Sequence, residues 1–115
     1  MTFKPPKKRI SSRTKGKVGE LELAAHLTAS GYPARRGQQF QGGGDSPDVV
    51  APSLEGIHIE CKRVETGNLY KWLDQAKKDA KAGNVPVVMH RKNKREWVAI
   101  LDLNDFLKLF IARGL

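Results

Sequence analysis

Three residues whose types suit hydrolytic chemistry lie in the middle of the chain: Asp48, Glu60 and Lys62. Glu60 and Lys62 belong to the segment Ile57-His58-Ile59-Glu60-Cys61-Lys62, in which apolar and polar residues alternate. A β-strand turns successive side chains to opposite faces, so this alternation predicts a strand with one apolar and one polar face. If Asp48 opens or ends a neighbouring strand, two carboxylates and an ammonium group meet on the polar face.

Two carboxylates and an amine are groups that metal-assisted phosphodiester hydrolysis requires. Mg²⁺ prefers oxygen ligands, so Asp48 and Glu60 are predicted to bind it, helped by the backbone carbonyl of Cys61. Lys62 is predicted to hold the attacking water and to stabilise the developing charge. Glu20, beside the apolar stripe of the first predicted helix, can point toward the sheet edge. The alternative is a surface Glu–Lys pair, which contributes only ~0.2–1 kcal/mol to stability.

The elements that must position these residues are predicted from hydrophobic periodicity and turn residues. Helices are predicted at 15–30, at 68–81 and from Asn104, which would be the N-cap, and strands at 32–36, 48–51, 56–63, 85–90 and 96–101. In the first helix, Leu21, Ala24, Ala25 and Thr28 are predicted to lie along one stripe, with Leu23 and Leu27 beside it. The order α-β-β-β-α-β-β-α predicts an α/β (α+β) domain with a mixed sheet flanked by helices. We expect a flexible basic arm over residues 1–12 and a single domain over residues 13–115.

Positive charge is concentrated near the N-terminal end of the sequence. The formal net charge is +9, and residues 1–17 contain seven bases and no acid. Such an arm suits a polyanion, because phosphate contacts supply salt-dependent affinity with little sequence choice. A solubilising or nuclear-localising tail is the alternative. The predicted phosphate-binding residues are Lys7, Lys8, Arg9, Arg13, Lys15, Lys17, Arg35, Arg36 and Arg63.

Several classes of protein are disfavoured by composition. The single cysteine, Cys61, cannot form an internal disulfide, and no Cys/His spacing suggests zinc. No apolar run approaches the ~20 residues that cross a bilayer, so we expect a cytoplasmic protein with no membrane partner. An RNA-binding protein is disfavoured because no aromatic-rich recognition motif is present. The glycine-rich segment 38–46 is predicted either to close over a substrate or to be a plain exposed connection.

Two further polar residues lie near the predicted site in sequence. His58 shares the face of Glu60 and Lys62, and we expect it at a solvent-exposed edge. Gln75 follows on the second predicted helix, where it could bond a metal-bound water or a phosphate. An exposed helical glutamine is the alternative interpretation of Gln75.

Two early segments, Lys15-Gly16-Lys17-Val18-Gly19-Glu20-Leu21-Glu22-Leu23 and Ser30-Gly31-Tyr32, resemble the opening helix of archaeal-type Holliday junction resolvases. Ser46-Pro47-Asp48-Val49-Val50-Ala51 and Ile59-Glu60-Cys61-Lys62 are similar to the central part of that family, within the PD-(D/E)XK nuclease superfamily. Gly83-Asn84-Val85-Pro86-Val87-Val88 and Trp97-Val98-Ala99-Ile100 resemble its later strands. The likeness covers nearly the whole predicted domain.

This resemblance implies a restriction-endonuclease-like fold and a homodimer that makes paired, symmetric cuts in four-way DNA junctions. It implies Mg²⁺, with Mn²⁺ as a substitute, and no small-molecule substrate. Catalytic roles carry over to Glu20, Asp48, Glu60 and Lys62, with Glu20 able to reach the metal through water. Residues 72–76 look more like glutamine-bearing phage and bacterial relatives, which implies a phage-encoded member acting in the host cytoplasm. Flap or nicked DNA as substrate, or a non-catalytic DNA-binding module, are the competing hypotheses.

Overall fold

The computed structural model describes residues 12–37 and 47–112 of the 115-residue chain. The helices are α1 (Ser12–Ala29), α2 (Leu69–Asp79) and α3 (Leu103–Ala112), and the strands are β1 (Arg35–Arg36), β2 (Val49–Val50), β3 (Ile57–Arg63), β4 (Val85–Arg91) and β5 (Val98–Ile100). The predicted order and the mixed α/β fold are confirmed. Helix α1 takes in the last residue of the predicted arm. The rest of that arm, and the segment 38–46 predicted to close over a substrate, lie outside the described residues.

The five strands form one mixed sheet in the order β1-β2-β3-β4-β5. Strands β3 and β4 are parallel, and the other neighbouring pairs are antiparallel. A parallel pair needs a long crossover connection, and α2 supplies it. Strand β3 is therefore the central strand: β4 pairs with it along its whole length, and the short β2 pairs with it at Ile59 on the other side.

Helix α1 packs on one face of the sheet through a stripe that differs from the predicted one. Leu23 and Ala24 are buried against Ile59, and Leu27 is half-buried beside them. Glu20 is also buried and lies one turn before Leu23. The buried stripe thus has the i, i+3, i+4, i+7 spacing of an amphipathic helix, with an acid in its first position.

The predicted stripe is wrong for three of its four members. Leu21, Ala25 and Thr28 are exposed, whereas Ala24 is buried. The contact face instead begins at Glu20 and runs through Leu23 and the half-buried Leu27, which were predicted beside the stripe. Burial of Glu20 rotates the contact face of α1 away from Leu21.

Helix α2 covers the other face of the sheet. It buries Leu73 and Ala76 against Val88 of β4, with Trp72 and Ile100 packed around them. Its N-cap is Asn68, whose side chain accepts a hydrogen bond from the Lys71 backbone N–H at 3.1 Å. This side-chain bond satisfies one of the free N–H groups of the first turn.

Helix α3 ends the described chain and buries none of its residues. Its first backbone hydrogen bond runs from the Phe106 N–H to the Asp102 carbonyl at 3.0 Å. Asn104 therefore lies inside the first turn, and its predicted role as N-cap is wrong. The exposed apolar side chains of α3 are Leu103, Phe106, Leu107, Phe110 and Ile111. In the described ranges, no helix combines the length and apolar character needed to span a membrane.

Candidate active site

Asp48 is held against the central strand by two hydrogen bonds. Its backbone N–H donates to the Ile59 carbonyl at 2.9 Å, and its Oδ2 accepts from the Cys61 N–H at 2.8 Å. Strand β2 continues from this point antiparallel to β3, with Val49 opposite Ile59. Because side chains alternate along a strand, Asp48 and Glu60 lie on the face opposite Val49 and Ile59. The structure therefore brings the two predicted carboxylates together.

The electrostatics of this pair are unfavourable for two negative charges. Burial raises the pKa of Asp48 to about 7, and a hydrogen bond to Glu60 and the charge of Glu60 add to the increase. The Cys61 N–H lowers the pKa of Asp48, and Glu20 raises it by the smallest amount. Two carboxyl groups that share a site resist ionising together. A divalent cation between them would remove that conflict.

His58 is the functional residue that sequence reasoning misjudged. It is only 2% exposed, and its Nε2 lies 2.7 Å from Oε1 of Glu60, which is itself 7% exposed. The expectation of a solvent-exposed edge is wrong, because β3 is the central strand of the sheet. The available signal was its position two residues before Glu60, on the same strand face. A buried imidazole bonded to a carboxylate fixes the orientation of that carboxylate.

Lys62 and Cys61 complete the Glu-x-Lys element. Lys62 is half-buried on the strand face of Glu60, although the close ionic partner of Glu60 is His58. Burial, and next the charge of Asp48, together raise the pKa of the Cys61 thiol to about 12. The thiol therefore stays protonated, and it packs against the core beneath α1. Participation of the Cys61 carbonyl in metal binding stays a prediction.

Glu20 reaches the sheet because α1 approaches β3 very closely at the preceding residue. A Cβ at Gly19 would lie 2.6 Å from Cβ of Arg63, so only glycine fits there without a shift. The Glu20 carboxylate is 7% exposed and accepts a hydrogen bond from Nε of Arg36 on β1 at 2.5 Å. Glu20 thus lies within electrostatic range of Asp48, and its direct partner is Arg36.

A second acid on α1, Glu22, was not predicted as a site residue. It accepts hydrogen bonds from Nε of Arg63 at 3.1 and 3.2 Å and also pairs with Nη1 of Arg91. Arg36 and Arg63, both predicted to bind phosphate, therefore form ion pairs that hold α1 on the sheet. The available signal for Glu22 was its place two residues after Glu20 on the same helix. Each of these acids pairs with arginines of the strands.

The other predicted contacts fall into three groups. Lys15, Lys17 and Arg35 are exposed. Gln75 is exposed on α2, and its amide donates to Oδ2 of Asp79 at 2.8 Å, within the same helix. Lys7, Lys8, Arg9 and the side chain of Arg13 lie outside the described residues.

The donor set at Asp48 and Glu60 suits one kind of metal site. Across residues 12–37 and 47–112, no group of three or more His, Cys, Asp or Glu side chains is arranged to hold a metal ion. Mg²⁺ is commonly bound by one or two carboxylates, with waters and substrate phosphates completing its shell. The pair Asp48 and Glu60 fits that kind of site, and its role as a metal site stays a prediction.

A mixed sheet with an aspartate entering β2 and Glu-x-Lys on the central strand β3 fits the class of PD-(D/E)XK nucleases, as the resemblance implied. Residues 11–112 match the model of a family described as "Phage putative PDDEXK endonuclease". The match covers most of the chain, so the chain belongs to this family. Membership of the superfamily is confirmed and implies an endonuclease. No curated protein and no solved structure gave a significant match to the chain.

Proposed function

We propose that this protein is a Mg²⁺-dependent, structure-selective DNA endonuclease that resolves four-way junctions by paired, symmetric cuts. The observation that carries the catalytic part is the pair formed by the half-buried Asp48 and the buried Glu60, with the pKa of Asp48 raised to about 7. Family membership supports the endonuclease part. The junction substrate rests on the resemblance of α1 and β3 to resolvases.

Each site residue has a distinct role in this proposal. Asp48 and Glu60, with the Cys61 carbonyl, hold the cation, and Glu20 reaches it through water. When bound, the cation supplies charge neutralisation at the phosphate and an activated water. Lys62 orients the attacking water and donates to the phosphoryl oxygens as their charge grows.

His58 acts as a positioning residue in the same proposal. Its contact with Oε1 of Glu60 at 2.7 Å holds that carboxylate in one orientation, as a group that would bind a cation requires. The burial of both side chains limits alternative rotamers. A carboxylate fixed in this way needs less reorganisation when the cation binds.

The competing hypothesis of a non-catalytic DNA-binding module has weaker support. Two neighbouring carboxylates beside a phosphate would repel it unless a cation lies between them. A protein that only binds DNA gains nothing from that arrangement. The pair Asp48 and Glu60 therefore favours hydrolysis over binding alone.

The proposed partner in catalysis is a second copy of the same chain. Helix α3 leaves five large apolar side chains exposed and buries none of its residues, which is unusual for the surface of a monomer. A two-fold dimer would cover this face and present two sites to a substrate that has matching symmetry. The family's phage description favours action in the cytoplasm of a host cell.

A cleavage assay on matched substrates tests the proposal. The purified protein is mixed with a synthetic four-armed junction or a linear duplex of the same sequence, with Mg²⁺, Mn²⁺ or EDTA. We expect paired nicks near the branch, only on the junction and only with metal. Asp48→Asn keeps the hydrogen-bond acceptor for Cys61 and is expected to bind the junction without cutting it.

Three outcomes of this assay contradict the proposal in different ways. Equal attack on the linear duplex favours a nuclease for flaps, nicks or duplex ends. Cutting in EDTA shows that the reaction does not require a divalent cation. Cutting by the Asp48→Asn variant shows that the site has been assigned to the wrong residues.

A further inference from the structure

The end of β4 and the turn that follows it are strongly basic, and the lysines there take no part in the site described above. Residues 91–95, here called the basic turn, contain Arg91, Lys92, Lys94 and Arg95 and no acid. Lys92, Lys94 and Arg95 are exposed, and Arg91 is half-buried. This surface carries much of the positive charge outside the N-terminal region.

The parallel register of β3 and β4 places the basic turn beside the candidate active site. Lys62 lies opposite His90, and Arg63 lies opposite Arg91. Neighbouring strands are about 4.8 Å apart, and each residue advances about 3.3 Å. The turn therefore begins at the C-terminal ends of β3 and β4, next to Lys62, the last residue of the Glu-x-Lys element. A nucleic acid seated over Lys62 would extend past this turn.

Side-chain and backbone hydrogen bonds fix the basic turn in one conformation. The Asn93 backbone N–H donates to Oε2 of Glu65 at 2.8 Å, and Nη2 of Arg63 donates to Oδ1 of Asn93 at 2.9 Å. Within the turn, Nε of Arg91 donates to the Arg95 carbonyl at 2.6 Å. These bonds hold the neighbouring lysines at defined positions, which lowers the entropy lost when they bind a ligand.

Lys94 has a backbone conformation that does not suit lysine. Its φ is 62°, and of the residues in the described ranges it is the one non-glycine residue with positive φ. Glycine adopts this conformation without steric cost, and a residue with a Cβ does not. A costly conformation that persists at an exposed, charged residue points to a use for the side chain.

Glu22 and Glu65, two acids near the basic turn, form ion pairs with arginines. Glu22 pairs with Arg63 and Arg91, and Glu65 pairs with Arg63. In the described part of the chain, the ion pairs at this edge thus involve arginines, while Lys92 and Lys94 carry exposed charge. Glu96 follows the turn and is exposed.

A cleft next to the basic turn adds a further positive group. Its volume is about 380 Å³, and it is lined by Lys15, Arg63, Val64, Glu65, Thr66 and Asn93. Lys15 comes from α1, on the face of the sheet opposite α2. The cleft therefore connects the basic turn to the N-terminal part of α1, where further exposed bases lie.

We propose that the basic turn, together with Lys15 across this cleft, binds the phosphate backbone of a duplex DNA arm that flanks the cut. This inference rests on the proposed function, and it adds a binding surface outside the catalytic residues. Lys92 and Lys94 contact phosphates as point charges, so the surface does not select a sequence. Its place beside Lys62 lets it hold the duplex on one side of the scissile phosphate.

A pair of charge-matched variants tests the inference. Lys92→Gln/Lys94→Gln removes two charges from the basic turn, and Lys78→Gln/Lys81→Gln removes two exposed charges near the C-terminal end of α2. Lys81 lies shortly before β4, at the opposite end of that strand. The change in net charge is the same in both variants. Any difference between their DNA affinities therefore shows that the position of the lost charges matters.

Affinity for a fluorescent duplex is measured in EDTA over a range of salt concentrations. Each lost phosphate contact reduces the slope of log K against log salt by about 0.9, so the basic-turn variant should lose about 2 in slope. We expect its affinity to fall about tenfold or more near physiological salt, and the α2 variant to keep the wild-type slope. Equal losses in the two variants, or no loss in the basic-turn variant, overturn the inference.

The variant Lys94→Gly separates a binding role from a structural one. It removes both the charge and the strained backbone, so we expect equal or higher thermal stability and weaker DNA binding. Unchanged binding contradicts the inference even if the protein becomes more stable. These binding results are independent of cleavage by Asp48→Asn, which tests the proposed function on its own.

Discussion

Strand β3 and helix α3 depart from the usual distribution of side chains in opposite directions. Strand β3 buries the polar residues His58 and Glu60, whereas α3 exposes large apolar residues such as Phe106 and Phe110. Burying an ionised group costs free energy unless it is paired, and exposing apolar surface forgoes the hydrophobic gain of about 25 cal/mol per Å². A domain shaped for stability alone would avoid both.

The two regions support two separate proposals, one of a cation at β3 and one of a second protein chain at α3. In β3, the conflict lies between the carboxyl groups of Asp48 and Glu60, so a small cation can resolve it within the domain. In α3, the unburied surface is a row of large apolar side chains that an ion cannot cover, and we propose that a second copy of the chain covers it. Proposed metal binding and proposed dimerisation are therefore separate properties, and they can be tested separately.

Removal of a β3 carboxylate should have the largest effect. Glu60→Gln keeps the size of the side chain but loses the negative charge that the cation requires. We expect the single-turnover rate of junction cleavage to fall about 10³-fold or more. Glu55→Gln is the matched control, because Glu55 is exposed in the turn before β3. Equal rates for the two variants would mean that the buried carboxylate has no catalytic role.

Polar substitution on α3 should affect assembly and leave the fold intact. Phe106→Ser/Phe110→Ser removes two apolar groups that lie about half exposed, 49% and 48%. We expect the dissociation constant of the dimer to rise at least about a hundredfold, because each Phe buried at an interface is worth about 1.5–3 kcal/mol. Sedimentation equilibrium measures the change.

The control for the α3 prediction is Tyr70→Ser on α2. Tyr70 is more exposed, at 76%, and lies away from α3 in the chain. It should leave the oligomeric state unchanged. A wild-type protein that is monomeric at high concentration, or a double variant that remains dimeric, contradicts the role of α3.

A third prediction concerns stability and follows from the close packing of α1 on β3 at Gly19. Gly19→Ala places a methyl group 2.6 Å from Cβ of Arg63, so α1 must shift away from the sheet. We expect the free energy of unfolding to fall by about 1–3 kcal/mol, with reduced cleavage because Glu20 moves with the helix. Gly16→Ala meets nothing within 4 Å and should be neutral or stabilising by up to about 1 kcal/mol. Urea denaturation of both variants measures the difference.

A fourth prediction concerns pH and isolates the charge conflict between Asp48 and Glu60. The pKa of Asp48 rises from 3.8 to about 7 in the folded protein, so the folded state binds this proton more tightly than the unfolded state. In EDTA, the contribution of Asp48 to stability should therefore decrease as pH rises from about 4 to about 7, and then level off. Asp48→Asn has no such proton.

Thermal unfolding of wild type and Asp48→Asn across this pH range tests the sign. The wild type should lose stability relative to the variant as pH increases. A difference that is constant with pH shows that the folded-state pKa of Asp48 is not raised. An opposite slope indicates that the carboxylate is stabilised by a positive partner.

Much of the catalytic strand could be predicted because strand geometry is local. Alternation alone places Ile57 and Ile59 on one face and Glu60 and Lys62 on the other, and the order of all eight elements follows from similar local patterns. The N-cap of α3 was missed by a small margin, because the helix starts before Asn104 and a backbone bond to Asp102 closes its first turn.

The stripe of α1 shows where local reasoning fails. Apolar periodicity placed Glu20 only beside the stripe, yet Glu20 is buried within the contact face of α1, because Arg36 on β1 pairs with it. The partners of Glu22 are likewise 41 and 69 residues away. No local window contains such pairs, so they could not be predicted from spacing.

The sequence by itself determined which residues can do chemistry and which strand carries them, since residue type and side-chain alternation depend only on near neighbours. Tertiary structure decided that β3 is the central strand, that His58 is buried against Glu60, and that Asp48 enters beside them. Those outcomes depend on strand order and register, which are set by contacts between distant segments. The same long-range packing left the face of α3 uncovered.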